Sequence, residues 1–388
     1  MKAFLFPGQG SQSKGMGKAL FSEFRELTEK ANKILGYSIK ELCLEDPRKE
    51  LNQTQFTQPA LYVVNAFSYL SKMKSSMQKP DFVAGHSLGE FNALFAAECY
   101  DFEAGLRLVK KRGELMSQAT EGGMAAILNA TQEEIETILG ENGLNDIELA
   151  NFNTLSQIVV SGPKDQIKKA ESFFQKGKMQ YIPLNTSGAF HSKYMVQAGK
   201  KFESYLKKFE FSDPVIPVIS NFTAKPYKKG EMVRNLSMQL INPVRWTNSI
   251  QYLIKKGDID FEEIGNGNIL TKLIRKIKEE YSDAEETDSK KDTEKSKNYA
   301  ENVQHKQNKS QETKSNTVVE ANCQTPEQKV HAWNQQYAIG TKVKSNIVDD
   351  DNLETRTEAI VLLGHRCAVY MKGYKGYFDL DEISPLVF

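Results

Sequence analysis

Three residues in this chain carry types and spacings that could do chemistry together. The first is Ser87, in Gly85-His86-Ser87-Leu88-Gly89-Glu90. An apolar pair, Phe82-Val83, precedes that stretch, and Phe91, Leu94, Phe95, Ala96 and Ala97 follow it, so it reads as strand, sharp turn and helix. Small residues on both sides of a serine at such a turn let its hydroxyl project from a tight corner, and the helix N-terminus beneath offers unpaired N–H groups to developing negative charge. Taken alone, the pattern also fits an ordinary serine in a turn. A nucleophilic serine needs a base, and the chain has five histidines: His86, His191, His305, His331 and His365. His86 adjoins the serine in sequence, His305 lies in a polar tract, and two are near the C-terminus. His191, in Gly188-Ala189-Phe190-His191-Ser192, is therefore the candidate base, against the common alternative of a structural histidine.

Arg112 is the third. Over about residues 102 to 119 a helical projection puts Gly105, Leu108, Val109, Leu115, Met116 and Ala119 on one arc, with Arg107, Lys110, Lys111, Glu114 and Gln118 outside it. Arg112 falls in the middle of the apolar arc. A guanidinium there keeps its charge and calls for an acidic partner. That partner is either an Asp or Glu in a structural ion pair, or a carboxylate belonging to a substrate.

The elements needed to position these residues can be read around them. Ala3 to Phe6 forms a buried strand ended by Pro7-Gly8-Gln9-Gly10-Ser11-Gln12, whose glycines let backbone N–H groups approach a ligand. Helices and loops fill about residues 17 to 80. From about 124 to 186 the order is strand, helix, strand, strand, helix, strand, a ferredoxin-like unit inserted into a larger α/β domain. Further strands are expected at Val215 to Asn221 and Phe261 to Ile264, and Gly265-Asn266-Gly267 opens a helix from Ile269 to Ile277. From about residue 281 to 325 Lys, Glu, Asp, Ser, Thr, Asn and Gln dominate, a composition that reads as a disordered linker. Residues 326 to 388 then read as a small all-β, SH3-like, barrel-like domain.

Composition sets outer bounds. At 388 residues the chain has room for two or three domains, and its net charge of +1 provides no global field favouring nucleic acid or an anionic membrane. Cys43, Cys99, Cys323 and Cys367 form no C-x-x-C pair, which argues against a zinc site or disulfide framework and suits a reducing cytoplasm. The apolar run after Met1-Lys2 is too short for a signal peptide, and no window approaches a membrane span.

With these residues in place, Phe6-Pro7-Gly8-Gln9-Gly10-Ser11-Gln12, the Ser87 elbow, Arg112-Gly113 and Ala189-Phe190-His191-Ser192 resemble the malonyl-CoA:acyl-carrier-protein transacylases. Pro217-Val218-Ile219-Ser220-Asn221 and Pro243-Val244-Arg245-Trp246 match too, so the likeness covers about residues 1 to 280 with an α/β-hydrolase-like large subdomain. The resemblance implies Ser87 as nucleophile, His191 as base, the N–H groups of Gln9 and Leu88 as oxyanion hole, and Arg112 as grip on the malonyl carboxylate. It implies that the Gln239 backbone orients the histidine, that no triad aspartate exists, and that Phe190 leaves no room for an α-methyl branch. It brings malonyl-CoA and a phosphopantetheinylated acyl carrier protein as partners, and no cofactor or metal. One departure is Asn266, where the family usually has proline. Fatty-acid members usually end near where the polar tract begins. The added C-terminal part is more like a free-standing acyltransferase serving a modular polyketide synthase. Rival readings are an acylhydrolase that clears stalled acyl chains and a scaffold that only binds carrier proteins. Retention of Arg112 argues against the first, since a monocarboxylic acyl chain has no carboxylate for the guanidinium, and intact Ser87, His191 and Arg112 argue against the second.

Overall fold

The architecture starts from strand β1, Lys2–Phe6, whose alternate side chains enter two different cores. Phe4 and Phe6 point into one with Val83 and Val218, while Ala3 and Leu5 enter the other with Ala84, Ile219 and Trp246. A strand buried on both faces belongs to the interior of a parallel sheet. In this computed structural model, which describes residues 1–76, 78–186, 188–282, 325–345, 353–362, 366–372, 377–380 and 383–385, that sheet has four strands. They are β1, β2 (Phe82–Gly85), β7 (Val218–Ile219) and β8 (Asp260–Glu263), ordered β7-β2-β1-β8 with every pair parallel. Helices cover both faces: Thr54–Ser76 and Phe102–Ser117 contribute to the first core, Trp246–Ile254 and the helix over 269–282 to the second.

Between the helix Phe102–Ser117 and His191 the chain forms a second sheet, from β3 (Gly122–Leu128), β4 (Glu148–Thr154), β5 (Gln157–Pro163) and β6 (Gln180–Pro183). Its order is β4-β5-β3-β6, all antiparallel, with helices Gln132–Glu141 and Lys164–Phe174 in the two crossovers. Alternation again divides the side chains. Ala125 and Ile127 pack under those helices with Ile135 and Phe174, whereas Met124 and Ala126 join the core of the parallel sheet. The insertion is thus fused to the main body through one face of its sheet.

The expected strand Val215 to Asn221 shrinks to Val218–Ile219. Pro217 has no N–H for a ladder, and the Asn221 N–H donates to Glu90 Oε2 instead of a neighbouring strand. The segment that ends β7 is thereby handed to the elbow.

The chain divides into two compact units, Met1–Asn298 and Tyr299–Phe388. Within the second, the all-β reading needs correction. Helix Pro326–Gln336 comes first, capped by Thr325, whose side chain accepts from the Gln328 N–H while Gln328 reaches back to the Thr325 N–H. Its Trp333 and Val330 pack on Val343, Leu353, Val369 and Phe378. The strands β9 (Val343–Ser345), β10 (Ile360–Leu362), β11 (Arg366–Tyr370), β12 (Tyr377–Asp379) and β13 (Ile383–Pro385) form a three-stranded sheet, β10-β11-β12, and a two-stranded one, β13-β9. These separate antiparallel sheets do not make a closed barrel among the described residues. Most of the tract expected to be a linker, 283–324, lies outside them. No helix among the described residues is long and apolar enough to cross a membrane.

The elbow depends on missing side chains. A Cβ on Gly89 would lie 1.9 Å from Phe6 O, and one on Gly85 would lie 1.9 Å from the Gly89 carbonyl carbon. Gly89→Ala must push backbone against backbone and is expected to cost about 3 kcal/mol. Gly140→Ala, at a helical position with nothing within 4 Å, should instead stabilise by about 0.5–1 kcal/mol. Urea unfolding of the two variants measures the contrast.

Candidate active site

Ser87 ends up in the left-handed region, at φ +50°. That conformation is uncommon for a residue with a side chain, and two neighbours hold it through three hydrogen bonds. Asn221 Oδ1 accepts from the Ser87 N–H at 2.7 Å, Asn221 Nδ2 donates to Gly85 O at 2.7 Å, and Gln239 Nε2 donates to Ser87 O at 2.9 Å. The result turns the hydroxyl away from the strand–helix corner toward two partners. Ser87 Oγ lies 2.8 Å from His191 Nε2 and accepts from Arg112 Nη2 at 3.0 Å.

His191 arrives from the loop after β6, itself at φ +58° and 4% exposed. Its Nδ1 donates to the Gln239 carbonyl oxygen at 2.7 Å, a partner that can only accept. The proton therefore sits on Nδ1, and Nε2 is left as acceptor for the Ser87 hydroxyl. Burial, with the Arg112 charge second, pulls the imidazole down to about 3. The ring is neutral at pH 7 and competent to receive a proton.

Arg112 stands on helix Phe102–Ser117, 1% exposed. The structural ion pair offered by the sequence is absent: no Asp or Glu among the described residues lies in salt-bridge range of it. Its Nη1 donates to Gln58 Oε1 at 2.8 Å, its Nη2 to Gln239 Oε1 at 2.9 Å and to Ser87 Oγ, while Nε has no partner. Burial lowers the guanidinium to about 9 against the raising influence of Glu90, so it remains a cation at neutral pH. A buried cation held by neutral oxygens is ready to take an anion.

Gln9 and Leu88 come together as well. A Cβ on Gly8 would lie 2.3 Å from His86 O and 3.6 Å from Leu88 N, so glycine is what allows the Pro7–Gly10 loop to lie on the elbow. Neither the Gln9 nor the Leu88 N–H donates to a backbone oxygen among the described residues. Asn266, at the position where the resemblance departs, donates Nδ2 to Ser11 O at 2.6 Å and so ties that loop down from the other side. Ser87, Arg112, Gln58, Met116, Phe190 and His191 line a cavity of about 80 Å3. A neighbouring cavity of about 230 Å3 shares Gln9, His86, Asn151 and Leu184 with it.

A family model for the acyl transferase domain matches residues 3–321. The chain is 57% identical, over 282 residues, to the polyketide biosynthesis malonyl CoA-acyl carrier protein transacylase PksC of Bacillus subtilis, covering 72% of this chain and 98% of that one. It is likewise similar to the crystal structure of a malonyl CoA-acyl carrier protein transacylase from Burkholderia pseudomallei, at 55% identity and a TM-score of 0.71, over 72% of this chain and 98% of that one. A malonyl-transacylase solved in complex with its type II PKS acyl-carrier protein matches at 33% identity and a TM-score of 0.68, over 71% of this chain and 92% of that one.

The chain belongs to the acyl transferase domain family.

In this acyl transferase domain, sequence reasoning brought Ser87, His191, Arg112, Gln9, Leu88, Phe190 and the Gln239 backbone to one place, and the structure groups all of them. It missed Gln58, the Gln239 side chain, and the parts of Asn221 and Glu90, which stood in quoted motifs without a role. Glu90 had a visible signal, a carboxylate immediately before the largely apolar run Phe91 to Ala97. Gln58 had none, because a glutamine in a helix looks the same whether it faces solvent or a guanidinium.

Asn221→Ala would free the Ser87 N–H and Gly85 O together. With buried groups left unpaired, a stability loss of about 1–3 kcal/mol is expected in urea unfolding, and the rate of Ser87 acylation should fall as the elbow relaxes.

Proposed function

We propose that the protein transfers malonyl from malonyl-CoA to the phosphopantetheine thiol of an acyl carrier protein, through an acyl-enzyme on Ser87. The observation that carries this reading is the double engagement of one hydroxyl. Ser87 Oγ meets the acceptor nitrogen of a neutral imidazole at 2.8 Å and, at 3.0 Å, a cation without a carboxylate partner among the described residues. The first makes the oxygen nucleophilic. The second marks where the far end of a short diacid would be held.

In the forward half-reaction the Ser87 proton passes to His191 Nε2 as Oγ bonds to the thioester carbon. The C–S bond then breaks, and His191 returns the proton to the leaving CoA sulfur. In the second half the phosphopantetheine thiol gives its proton to the same nitrogen, attacks the malonyl-serine ester, and Ser87 recovers its hydrogen. The Gln9 and Leu88 N–H groups are assigned to the oxyanion, worth about 2.7–4 kcal/mol for one such donor. Imidazole basicity and the clamp are linked. The Arg112 charge is among the causes that depress His191, so a carboxylate on the guanidinium would restore basicity as the correct substrate binds. The Phe190 ring restricts the acyl cavity to unbranched malonyl. None of these steps calls for a cofactor, and CoA enters as a substrate.

The relatives named for polyketide biosynthesis support a role in that chemistry as a free-standing acyltransferase. The β4-β5-β3-β6 unit is read as the ferredoxin-like subdomain of a catalytic domain spanning about 1–280. Residues 281–325 are read as a tether, and 326–388 as a docking module for a synthase or partner enzyme. Flexible tethering raises effective concentration without a new contact at the active site.

Intact-mass measurement after mixing with malonyl-CoA should give a malonyl adduct that Ser87→Ala lacks. Arg112→Ala should lower malonyl transfer on the order of 100-fold, the worth of a charged hydrogen-bonded contact, while acetyl transfer falls by less than about tenfold. Equal losses would refute the clamp. Truncation after residue 285 should leave transfer to an isolated carrier protein intact, and collapse of activity would place 326–388 in the catalytic unit.

A further inference from the structure

Among the described residues, Glu90 is the buried carboxylate and Arg112 the buried guanidinium, 0% and 1% exposed. They are not in direct contact. The Gln239 amide lies between them, its Nε2 donating to Glu90 Oε2 at 2.6 Å and its Oε1 accepting from Arg112 Nη2 at 2.9 Å. An acceptor on one side and a cation on the other leave the amide a single orientation, so the two charges are joined through it.

The two oxygens of Glu90 differ in what surrounds them. Oε2 receives two N–H donors, from Gln239 and from the Asn221 backbone at 3.0 Å. Oε1 receives the Tyr227 hydroxyl, the one neighbour that can turn and accept instead. A proton on Oε1 would therefore cost no hydrogen bond. The ionisable groups acting on this carboxyl are Arg112 from helix Phe102–Ser117, Tyr227 from the segment after β7, and Tyr100 from the turn after its own helix, Gly89–Ala96. That helix carries no other ionisable side chain, and none from β1, β2 or Thr54–Ser76 hydrogen-bonds to Glu90 among the described residues. Arg234, on the helix that bears Gln239, is exposed. Both tyrosines are pushed well above their ordinary range by burial and stay neutral. Burial also lifts Glu90, to about 7, against its hydrogen bonds and Arg112.

We propose that Glu90, acting through the Gln239 amide, is the counter-charge of Arg112 before the enzyme is acylated, and that it takes up a proton from solvent when a substrate carboxylate binds the guanidinium directly. The inference rests on the reading of Arg112 as the malonyl clamp. Two carboxylates serving one buried cation cannot both stay ionised cheaply, and the one with a hydroxyl neighbour accepts the proton. Only an O–H bond on Glu90 forms. The serine proton still leaves on the CoA thiol, so solvent supplies the extra one. Malonyl-enzyme then holds one more proton than free enzyme. Its formation weakens as pH rises above the free Glu90 range, by up to about tenfold per pH unit. Acetyl loading has no second carboxylate and should not follow.

The test is stoichiometric loading in weakly buffered solution at pH 7.5, with an indicator dye for protons and intact mass for the adduct. Malonyl-CoA should draw about 0.5–1 proton per acyl group, and acetyl-CoA less than about 0.1. Glu90→Gln should load malonyl without uptake, and uptake that persists there would assign the proton to His191 and overturn the proposal. A malonyl adduct without uptake in the unaltered protein sinks the proposal and leaves the transferase reading standing, whereas absence of any adduct sinks both. Should Glu90→Gln not fold, Tyr227→Phe, which removes the hydroxyl on Glu90 Oε1, should shift the pH range of the uptake, and an unchanged range would assign the proton elsewhere and overturn the proposal.

Discussion

The constraint on which the rest of this structure depends is a buried guanidinium with no carboxylate within salt-bridge range among the described residues. Arg112 is enclosed in the core between helices, over the Phe91 ring at 5.5 Å, with three neutral oxygens as acceptors. Such a charge is expensive to bury, and full pairing would remove the cost along with the capacity to bind an anion. The surrounding groups strike a middle position. Two glutamine amides and a serine satisfy the geometry, and Glu90 supplies negative charge at one remove.

Gln239 is the joint of that arrangement. Its backbone carbonyl fixes His191, its amide nitrogen fixes the Ser87 carbonyl and Glu90, and its amide oxygen faces Arg112. A carbonyl in place of a triad carboxylate selects the tautomer without placing a full negative charge against the ring. The imidazole is then tuned mainly by burial and by the cation it shares with Ser87. Binding specificity and basicity become one electrostatic problem.

The two sheets divide the labour by alternation. The parallel sheet presents the elbow at the end of β2, and the antiparallel unit fuses to it through Met124 and Ala126 while delivering His191 just past β6. Val244 runs beside β4, exchanging hydrogen bonds with Ala150 and Phe152, and the next N–H, of Arg245, donates to Asn221 O. The Pro243-Val244-Arg245-Trp246 motif thus stitches the insertion to the segment that holds Ser87.

What the sequence determined by itself was everything encoded locally. Apolar runs of strand length, glycines at a corner and an arginine on an apolar arc fixed the elements around Ser87 and Arg112, and the order of elements from 124 to 186 emerged from periodicity. Some local signals went unused: Thr325-Pro326-Glu327-Gln328 spells a capped helix start, and Pro217 rules out a long strand. What only tertiary structure decided is which polar groups meet. Gln58, Glu90, Asn221 and Gln239 come from four separate segments, and a hydrogen bond across 149 residues, as between Glu90 and Gln239, leaves no periodic trace in either segment. The reason is physical: burial of apolar surface follows short-range pattern, whereas the satisfaction of a buried charge is settled only when distant chain segments close around it.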